Sequence, residues 1–328
     1  MGKTFKSQSH KSFIWRIGIF TRAFYFHQES LQSQAMQRRS EPVGSNARNT
    51  PAFTPTNRNE RETVNNNLIY GSSGNNVISG GDGYDVLTYQ NIQSAITLSR
   101  GGTILKEDQN IDQITDFSVE KIVGAKGYDN TIDGSTGSTA SINVNSETGQ
   151  LTINGLPGIG SASIEFENFS SIIGSQNEDT IIGSRNSEQL SGAAGNDYIK
   201  GGAESDLLTG GIGNDIFSFM PGDSTLSNWD IITDFSPGED FIQWNQEITQ
   251  MTDAGFVNSL QRRDIAEHLE AKGFAKGTAV LMRTLMPNEE IERSFLMIND
   301  STDGFQGRGE AMIEITGFAG LAEQINFI

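Results

Sequence analysis

The sequence predicts an all-β protein, built as a solenoid in which very short strands alternate with tight turns. Five nine-residue units follow one another without a gap over residues 174–218, and a fixed short period is the signature of a repeat architecture. Each unit has an acidic residue at its sixth place and an apolar residue at its eighth. The 328 residues include 37 glycines and only 35% hydrophobic residues, which suits a thin solenoid better than a thick globular core.

The repeated places have different predicted roles. An apolar residue at the eighth place lies on a short strand and points inward, whereas the sixth-place acid faces a turn rich in backbone carbonyls. Glycines at the first, second and fourth places permit the left-handed backbone angles of a tight turn. The sixth-place acids are Asp179, Glu188, Asp197, Asp206 and Asp215, and the eighth-place residues are Ile181, Leu190, Ile199, Leu208 and Phe217.

The last unit, GGIGNDIFS, has the complete pattern G-G-x-G-x-D-x-U-x, in which U is apolar. The run of units resembles the RTX (repeats-in-toxin, haemolysin-type) calcium-binding proteins. This resemblance implies a parallel β-roll, with one turn and one strand per half coil and Ca²⁺ bound between turns. The glycines that it places in these metal sites are Gly192, Gly195, Gly201, Gly202, Gly210, Gly211 and Gly213.

If nine residues make half a coil, units two apart stack on the same edge. Asp179, Asp197 and Asp215 then line one edge, and Glu188 and Asp206 line the other. Stacked strands lie about 4.8 Å apart, and bare carboxylates at that spacing repel by roughly 1 kcal/mol in water and more where water is excluded. Ca²⁺, with about six to eight oxygen ligands, removes this repulsion, and the intact units predict roughly three to five ions. The alternative is a solenoid that binds nothing, with Asp and Asn present because they suit turns.

The five units match the pattern unequally. Glu188 is a longer acid than the motif has, and several glycines of the first units are replaced. We therefore expect the strongest sites to involve Asp197, Asp206 and Asp215, and weaker sites around Asp179 and Glu188. The replacements are Ser175, Ser184 and Ala193 at the second place, and Asn177, Asn186 and Glu204 at the fourth.

A second block of repeats lies upstream, at residues 71–88. Its first unit, GSSGNNVIS, has Asn76 at the acid position and is expected to shape a turn more than to bind a metal. Residues 67–70 before it are interpreted as a degraded unit. The second unit, GGDGYDVLT, has the complete pattern and adds four residues to the predicted metal sites: Gly80, Gly81, Gly83 and Asp85.

Between the two blocks the sequence keeps short β runs, including a hairpin predicted over residues 141–155. A third, imperfect unit at residues 124–134 has one residue too many. Either Asp129 or Asn130 therefore occupies its acid position. We interpret residues 67–219 as one β-roll with a β insertion.

Residues 220–328 predict a cap and a small, mostly β, secretion-type domain. Its helix candidate lies within residues 252–273, with Ile265 and Leu269 on the apolar side and His268 in solvent, and three strands follow in SFLMIND, MIEITGF and INFI. The tail resembles that of RTX-type surface proteins, sometimes called a bluetail domain. This resemblance implies export by type I (ABC transporter) machinery, which would be a partner.

The segment WDIITDFSPGEDFIQW resembles the sequence that follows RTX repeats in many secreted proteins. Its acidic positions are Asp230, Asp234 and Asp240. Two interpretations stay open for these residues: one or two of them complete a terminal ion site, or all are turn and capping acids on the surface.

The charges separate along the chain. Residues 1–61 contain ten Lys and Arg against three acids, and the rest contains 13 against 38. An acidic body disfavours nucleic acid and anionic lipid. Residues 1–66 predict a disordered basic leader, either an arm in weak contact with a membrane or partner, or a leader without such a role. The absence of cysteine excludes disulfides and cysteine-ligated zinc.

No catalytic motif accompanies the repeats. The sequence has no HExxH, no G-x-S-x-G, no P-loop and no cysteine, and only three histidines. We therefore expect a non-catalytic calcium-binding protein, secreted or at a bacterial cell surface, that folds on binding Ca²⁺ after type I export. Two alternatives stay open: a structural or adhesive surface component, and the C-terminal calcium-binding and secretion module of a larger extracellular enzyme.

Overall fold

The structure, a computed structural model, describes residues 65–115, 118–137, 140–285, 292–299, 305 and 310–328. The predicted basic leader lies outside this part of the chain, apart from its last two residues. The strands in chain order are β1 (Leu68–Tyr70), β2 (Asn76–Ile78), β3 (Val86–Thr88), β4 (Ile96–Ser99), β5 (Thr103–Lys106), β6 (Ile111–Ile114), β7 (Lys121–Val123), β8 (Thr131–Asp133), β9 (Ser141–Asn145), β10 (Gln150–Leu156), β11 (Gly160–Glu167), β12 (Ser171–Ile173), β13 (Thr180–Ile182), β14 (Gln189–Ala194), β15 (Tyr198–Lys200), β16 (Leu207–Ile212), β17 (Ile216–Phe219), β18 (Asp230–Ile232), β19 (Phe241–Trp244), β20 (Gln250–Phe256), β21 (Thr278–Leu285), β22 (Glu292–Ile298), β23 (Ala311–Ile315) and β24 (Asn326–Phe327). The helices are α1 (Arg262–Glu270) and a 3-10 turn (Ala322–Gln324).

The strands form two sheets, and successive repeat strands alternate between them. One sheet has the order β1-β3-β7-β11-β10-β9-β13-β15-β17-β19-β24, and the other has the order β2-β6-β5-β4-β8-β12-β14-β16-β18-β23-β22-β21-β20. Within the repeat blocks the neighbouring strands are parallel. The predicted fold class, an all-β protein with a parallel β-roll and a mostly β C-terminal part with one α-helix among the described residues, is confirmed.

The register of the strands follows the nine-residue period. Ile181 on β13 pairs with Ile199 on β15, which pairs in turn with Phe217 on β17. In the other sheet Leu190 on β14 pairs with Leu208 on β16. These five eighth-place side chains are at most 1% exposed and belong to one core, so the inward direction predicted for them is confirmed.

The insertion between the repeat blocks adds strands to both sheets. β9, β10 and β11 form an antiparallel meander in the first sheet, and the pairing of Asn145 with Gln150 confirms the predicted hairpin. β4, β5 and β6 form a second antiparallel meander in the other sheet. The flanking strands of both meanders pair in parallel with repeat strands, so the stacking of coils continues through the insertion.

The C-terminal part extends the second sheet and carries α1 against it. Ile265 and Leu269 of α1 are fully buried in a core shared with Phe274, Phe295 and Met297. His268 is half-buried, with Nε2 2.7 Å from the carbonyl oxygen of Ala254, so its predicted exposure to solvent is wrong. No helix in the described residues is both long and apolar enough to cross a membrane.

Two C-terminal strands were not predicted. Residues 252–256 belong to β20 instead of the helical stretch, and β20 pairs with β21, which pairs with β22. The prediction of three strands in this region was therefore incomplete, because it left out β20 and β21. The run TAVLMRTL lacks the alternation of a half-covered strand because most of β21 is buried, and such an apolar run cannot be distinguished from a buried helix by periodicity.

Candidate metal centre

Each sixth-place residue of the main repeat block is tied to the sixth-place side chain of the coil stacked beside it. The N–H of Asp179 donates to Oδ1 of Asp197 at 2.8 Å, and the N–H of Asp197 donates to Oδ1 of Asp215 at 2.9 Å. On the other edge the N–H of Glu188 donates to Oδ1 of Asp206 at 2.9 Å. All five acids are buried, and the structure brings them together in the two groups that the period predicts. We call this series of bonds the carboxylate ladder.

The first-place glycines give the carboxylates room. A Cβ added at these glycines would collide with the carboxylate of the same unit, and their φ angles are not in the left-handed region. The prediction of left-handed angles is therefore wrong for the first place, where glycine serves a close approach. The pairs are Gly80 with Asp85, Gly192 with Asp197, Gly201 with Asp206, and Gly210 with Asp215.

In the units at residues 80–88 and 192–218 the second and fourth places do have left-handed backbone. A Cβ at Gly211 would collide with the carbonyl oxygen of Ala193, and one at Gly213 would collide with the carbonyl oxygen of Gly195. The second- and fourth-place carbonyl oxygens thus face the next turn on the same edge. Ala193 and Glu204 keep the conformation without glycine, at φ of 73° and 70°. The other glycines of this kind in these units are Gly81, Gly83, Gly195 and Gly202.

Four of the buried carboxylates have a second oxygen without a hydrogen-bond partner. Unsatisfied buried polar atoms are rare in native proteins, and each costs about 1–3 kcal/mol, more when charged. Their occurrence at the equivalent ladder place in both repeat blocks and in the cap indicates a cation as the natural partner. The atoms are Oδ2 of Asp85, Asp197, Asp206 and Asp230.

In the main block the two units with serine at the second place satisfy their acids internally. The N–H of Ser175 donates to Oδ2 of Asp179, and the hydroxyl of Ser175 donates to Oδ1 at 3.0 Å. In the next unit the N–H of Ser184 donates to Oε2 of Glu188. Asp179 and Glu188 therefore have partners at the atoms that are unsatisfied in Asp197 and Asp206.

Burial makes the ionised form of these acids costly. It raises the pKa of Asp197 to about 8, of Asp206 to about 7 and of Asp215 to about 6, with further contributions from neighbouring carboxylates. Burial also raises the pKa of Asp179 and of Glu188, where hydrogen bonds to the serine turns oppose the effect. Without a cation Asp197 therefore favours the protonated state at neutral pH, Asp206 is about half protonated, and Asp215 is mostly ionised.

The cap continues both edges of the ladder. The N–H of Asp206 donates to Oδ1 of Asp230, and the N–H of Asp215 donates to Oδ1 of Asp240, both at 2.9 Å. Asp234 accepts the N–H groups of the glycines that open the last unit, and Oδ2 of Asp240 accepts the N–H of Ser236. Asp230 and Asp240 are buried. Of the three cap acids, Asp230 is the one with an unsatisfied oxygen, and burial raises its pKa to about 9.

The upstream block uses the same ladder. The N–H of Asn67 donates to Oδ1 of Asp85 at 2.7 Å, and β1 pairs with β3, so residues 67–70 do form a degraded unit. In the other sheet the N–H of Asn76 donates to Oδ1 of Asp112 at 3.1 Å. Asp112 was missed because no repeat glycines precede it. Its weak signal is the triplet Asp-Gln-Ile, which matches the sixth to eighth places of a unit.

The ambiguity in the third unit is resolved in favour of Asn130. Its side chain is fully buried and its Oδ1 accepts the N–H of Ile96 at 3.0 Å, in the ladder position. Asp129 is exposed and accepts a hydrogen bond from the hydroxyl of Ser170. The extra residue of this unit therefore places the amide, and not the acid, at the sixth place.

The oxygen atoms that are available as metal ligands at these turns fit Ca²⁺. Within the described residues, His, Cys, Asp and Glu side chains do not gather in threes that could hold a metal. A cation at these turns therefore has one carboxylate per coil, supplemented by the second- and fourth-place carbonyl oxygens. Such an all-oxygen set with few carboxylates suits Ca²⁺, which accepts backbone carbonyls in flexible geometry, better than it suits Mg²⁺.

Comparison with known proteins supports this assignment of the turns. The sequence matches the RTX calcium-binding nonapeptide repeat in four copies, at residues 64–88, 171–199, 182–217 and 191–226. Repeats of this family bind Ca²⁺. A search of curated proteins gave no match.

Solved structures also match the chain. One is the crystal structure of the extracellular lipase LipA from Serratia marcescens, with 14% sequence identity and a TM-score of 0.21. The match covers 80% of this chain and 38% of the lipase chain. The chain thus spans well under half of the length of that structure.

Proposed function

Because the chain carries RTX calcium-binding repeats, we propose that it is a secreted, non-catalytic protein whose β-roll folds on binding Ca²⁺ after export. The observation that carries the proposal is the set of unsatisfied, buried oxygens on Asp85, Asp197, Asp206 and Asp230. Four equivalent buried carboxylates without partners are costly in a metal-free fold, and a bound cation turns this cost into stabilisation.

The residues proposed to hold Ca²⁺ fall into two groups. The sixth-place carboxylates, held by the ladder through Oδ1, present Oδ2 to the ion. In the units at residues 80–88 and 192–218 the second- and fourth-place residues have left-handed backbone and direct carbonyl oxygens into the gap between stacked turns. Bound Ca²⁺ supplies the positive charge that lets these carboxylates remain ionised inside the roll. The predicted sites at Asp197 and Asp206 are the strongest candidates, and those at Asp179 and Glu188 are weaker because serine already satisfies these acids.

The charge of the chain supports folding outside the cell. Beyond residue 61 it carries 38 acids against 13 basic residues, and mutual repulsion keeps an acidic, metal-free chain expanded. Ca²⁺ is scarce in the cytoplasm and abundant outside. A chain that passes a type I transporter unfolded would therefore obtain its folding free energy on arrival. The tail resemblance supports this route of export.

Circular dichroism and thermal unfolding of the full chain in chelator and in millimolar Ca²⁺ test the proposal. We expect Ca²⁺ to increase the β signal and to raise the melting temperature, because a ligand at about 1,000 times its dissociation constant stabilises a fold by about 4 kcal/mol. Mg²⁺ at the same concentration is the control and should have a much smaller effect. An identical spectrum and melting temperature in chelator and in Ca²⁺ would contradict the proposal.

A further inference from the structure

One ammonium group lies inside the roll, at the turn of the first upstream unit. Lys106 is 2% exposed and its partner Asp112 is fully buried. Nζ of Lys106 donates to the carbonyl oxygens of Ser72 at 2.7 Å and Gly74 at 2.5 Å, and to Oδ1 of Asp112 at 2.5 Å. A single cationic group is thus coordinated by three oxygens, two from a turn and one from a carboxylate.

These three oxygens occupy the places that define the candidate calcium turns. Ser72 and Gly74 are the second and fourth residues of the unit at residues 71–79, and Gly74 has a left-handed φ of 87°. Asp112 is the ladder residue of the coil stacked on that unit, as shown by the pairing of Asn76 with Asp112 between β2 and β6. The ammonium therefore has the same kind of oxygen set as that proposed for Ca²⁺ in the main block.

The other oxygen of Asp112 is also satisfied, in contrast to the four unsatisfied carboxylates. Its Oδ2 accepts the hydroxyl of Tyr89 at 2.7 Å, and its Oδ1 also accepts the side-chain amide of Asn76 at 2.6 Å. Both carboxylate oxygens of Asp112 therefore have hydrogen-bond donors without a metal ion.

From this geometry we propose that the turn at residues 71–76, completed by Asp112, is a cation site of the repeat type that the Lys106 ammonium fills in place of Ca²⁺. The inference rests on the proposed function, since it takes the main block as the calcium-dependent reference. It assigns no Ca²⁺ to this turn, although the turn lies within a stretch that matches the calcium-binding repeat. This turn, with the paired strands β2 and β6, then folds without metal, whereas the turn at Asp85 on the other edge stays among the calcium-dependent sites.

The third unit closes its turn in a similar way with a neutral donor. The Nδ2 group of Asn130 donates to the carbonyl oxygens of Ala125 at 2.8 Å, Tyr128 at 3.1 Å and Asn168 at 2.6 Å. A side-chain N–H group thus again satisfies carbonyl oxygens around a sixth-place position. Two upstream turns of the second sheet are therefore satisfied by the chain itself.

Hydrogen exchange of the full wild-type chain, in chelator and in Ca²⁺, tests the inference directly. We expect β15 and β17 to exchange at least about tenfold faster in chelator, a change of about 1.4 kcal/mol, while β2 and β6 change less than about twofold. A similar acceleration in both pairs would overturn the inference and leave the proposed function intact. No response to Ca²⁺ in β15 and β17 would instead overturn the proposed function.

Lys106→Ala supplies the second measurement. Removing the ammonium leaves the carboxylate of Asp112 without a cationic partner and two carbonyl oxygens without their donor, so we expect one additional bound ion per chain and calcium-dependent protection of β2 and β6. Lys121→Ala is the control, since Lys121 makes a partly exposed ion pair with Glu167, and it should leave the number of ions unchanged. An unchanged ion count in Lys106→Ala, or a variant that stays unfolded in Ca²⁺, would contradict the inference.

Discussion

The turns at residues 174–191 and those at residues 192–209 have the same period and the same ladder, yet their acids are satisfied differently. In the first pair the N–H of Ser175 or Ser184 binds the second carboxylate oxygen of its own unit. In the second pair Oδ2 of Asp197 and of Asp206 has no such partner. The period therefore determines the coil, whereas the second-place residue determines whether the second oxygen of the acid has a hydrogen-bond partner within its own unit.

The backbone explains this difference. Ala193 and Gly202, at the second place of the later units, have φ of 73° and 102°, whereas Ser175 and Ser184 are outside the left-handed region. With left-handed backbone the second-place N–H no longer reaches the acid of its own unit. The carbonyl oxygen faces the neighbouring turn in both cases, at Ser184 as at Ala193. The change in φ therefore removes a donor from the acid and leaves the carbonyl oxygens between the turns in place.

The largest expected difference between the two regions comes from replacing one acid in each by its amide. Asp197→Asn should lower Ca²⁺ affinity at its site by tenfold or more, a loss of about 1.4 kcal/mol or more. It should also stabilise the chelated protein, because the amide can donate to turn carbonyls as Asn130 does. Calcium titration and melting in chelator measure the two effects.

Asp179→Asn is the matched variant in the serine turn. Its amide N–H₂ would face the N–H of Ser175, and a buried unsatisfied donor costs about 1–3 kcal/mol. We expect a lower melting temperature in chelator and in Ca²⁺ alike, with little change in affinity for Ca²⁺. Equal losses of affinity in Asp179→Asn and Asp197→Asn would remove the distinction between the two regions.

We expect the melting temperature to fall with rising pH in chelator, and not to fall in Ca²⁺. Burial raises the pKa of Asp215, Asp206, Asp197 and Asp230 to about 6, 7, 8 and 9. A carboxyl group whose pKa is raised on folding stabilises the fold below its unfolded value, near 3.8, and this contribution is lost as pH rises through the folded value. In chelator the melting temperature should therefore fall between about pH 4 and pH 9.

In saturating Ca²⁺ the same interval should show no such fall, because the metal binds the ionised carboxylates and protons compete with it. Ca²⁺ binding near neutral pH should also release protons, which calorimetry in buffers of different ionisation enthalpy measures. A melting temperature in chelator that rises steadily from pH 5 to pH 8 would contradict the assignment of unsatisfied, desolvated carboxylates.

The smallest effect concerns the strained backbone at Ala193. A non-glycine residue in the left-handed region costs about 1–2 kcal/mol, so Ala193→Gly should stabilise the Ca²⁺-loaded protein by about 1 kcal/mol. Ala203→Gly is the control, because Ala203 lies outside the left-handed region and gains only flexibility in the unfolded chain. Equal changes in melting temperature for the two variants would show that the strain is absent.

The nine-residue pattern predicted those features of the fold that repetition along the sequence determines. The nine-residue spacing predicted the alternation between sheets, the pairing of Ile181 with Ile199, and the burial of the eighth-place side chains. These features depend on residues close in sequence and on repetition. The grouping of the sixth-place acids on two edges follows from the same arithmetic.

The remaining features depend on contacts between distant residues. Lys106 reaches Ser72 across 34 positions, and Asp112 is placed beside Asn76 by the meander of β4, β5 and β6. No short motif contains either contact. The hydrogen bond from Ser175 to Asp179 could not be predicted from the sequence either. A serine in place of glycine indicates a weakened turn, and it does not show that its N–H binds the acid.

The most direct test of the central claim is a crystal structure of the full chain grown in Ca²⁺, with the ions identified by anomalous scattering. We expect an ion at the usual Ca²⁺–oxygen distance, about 2.3–2.6 Å, from Oδ2 of Asp197 and of Asp206, and the ammonium of Lys106 still bound to Ser72 and Gly74. Ions absent from both aspartates, or an ion at Asp112 with Lys106 displaced, would contradict it.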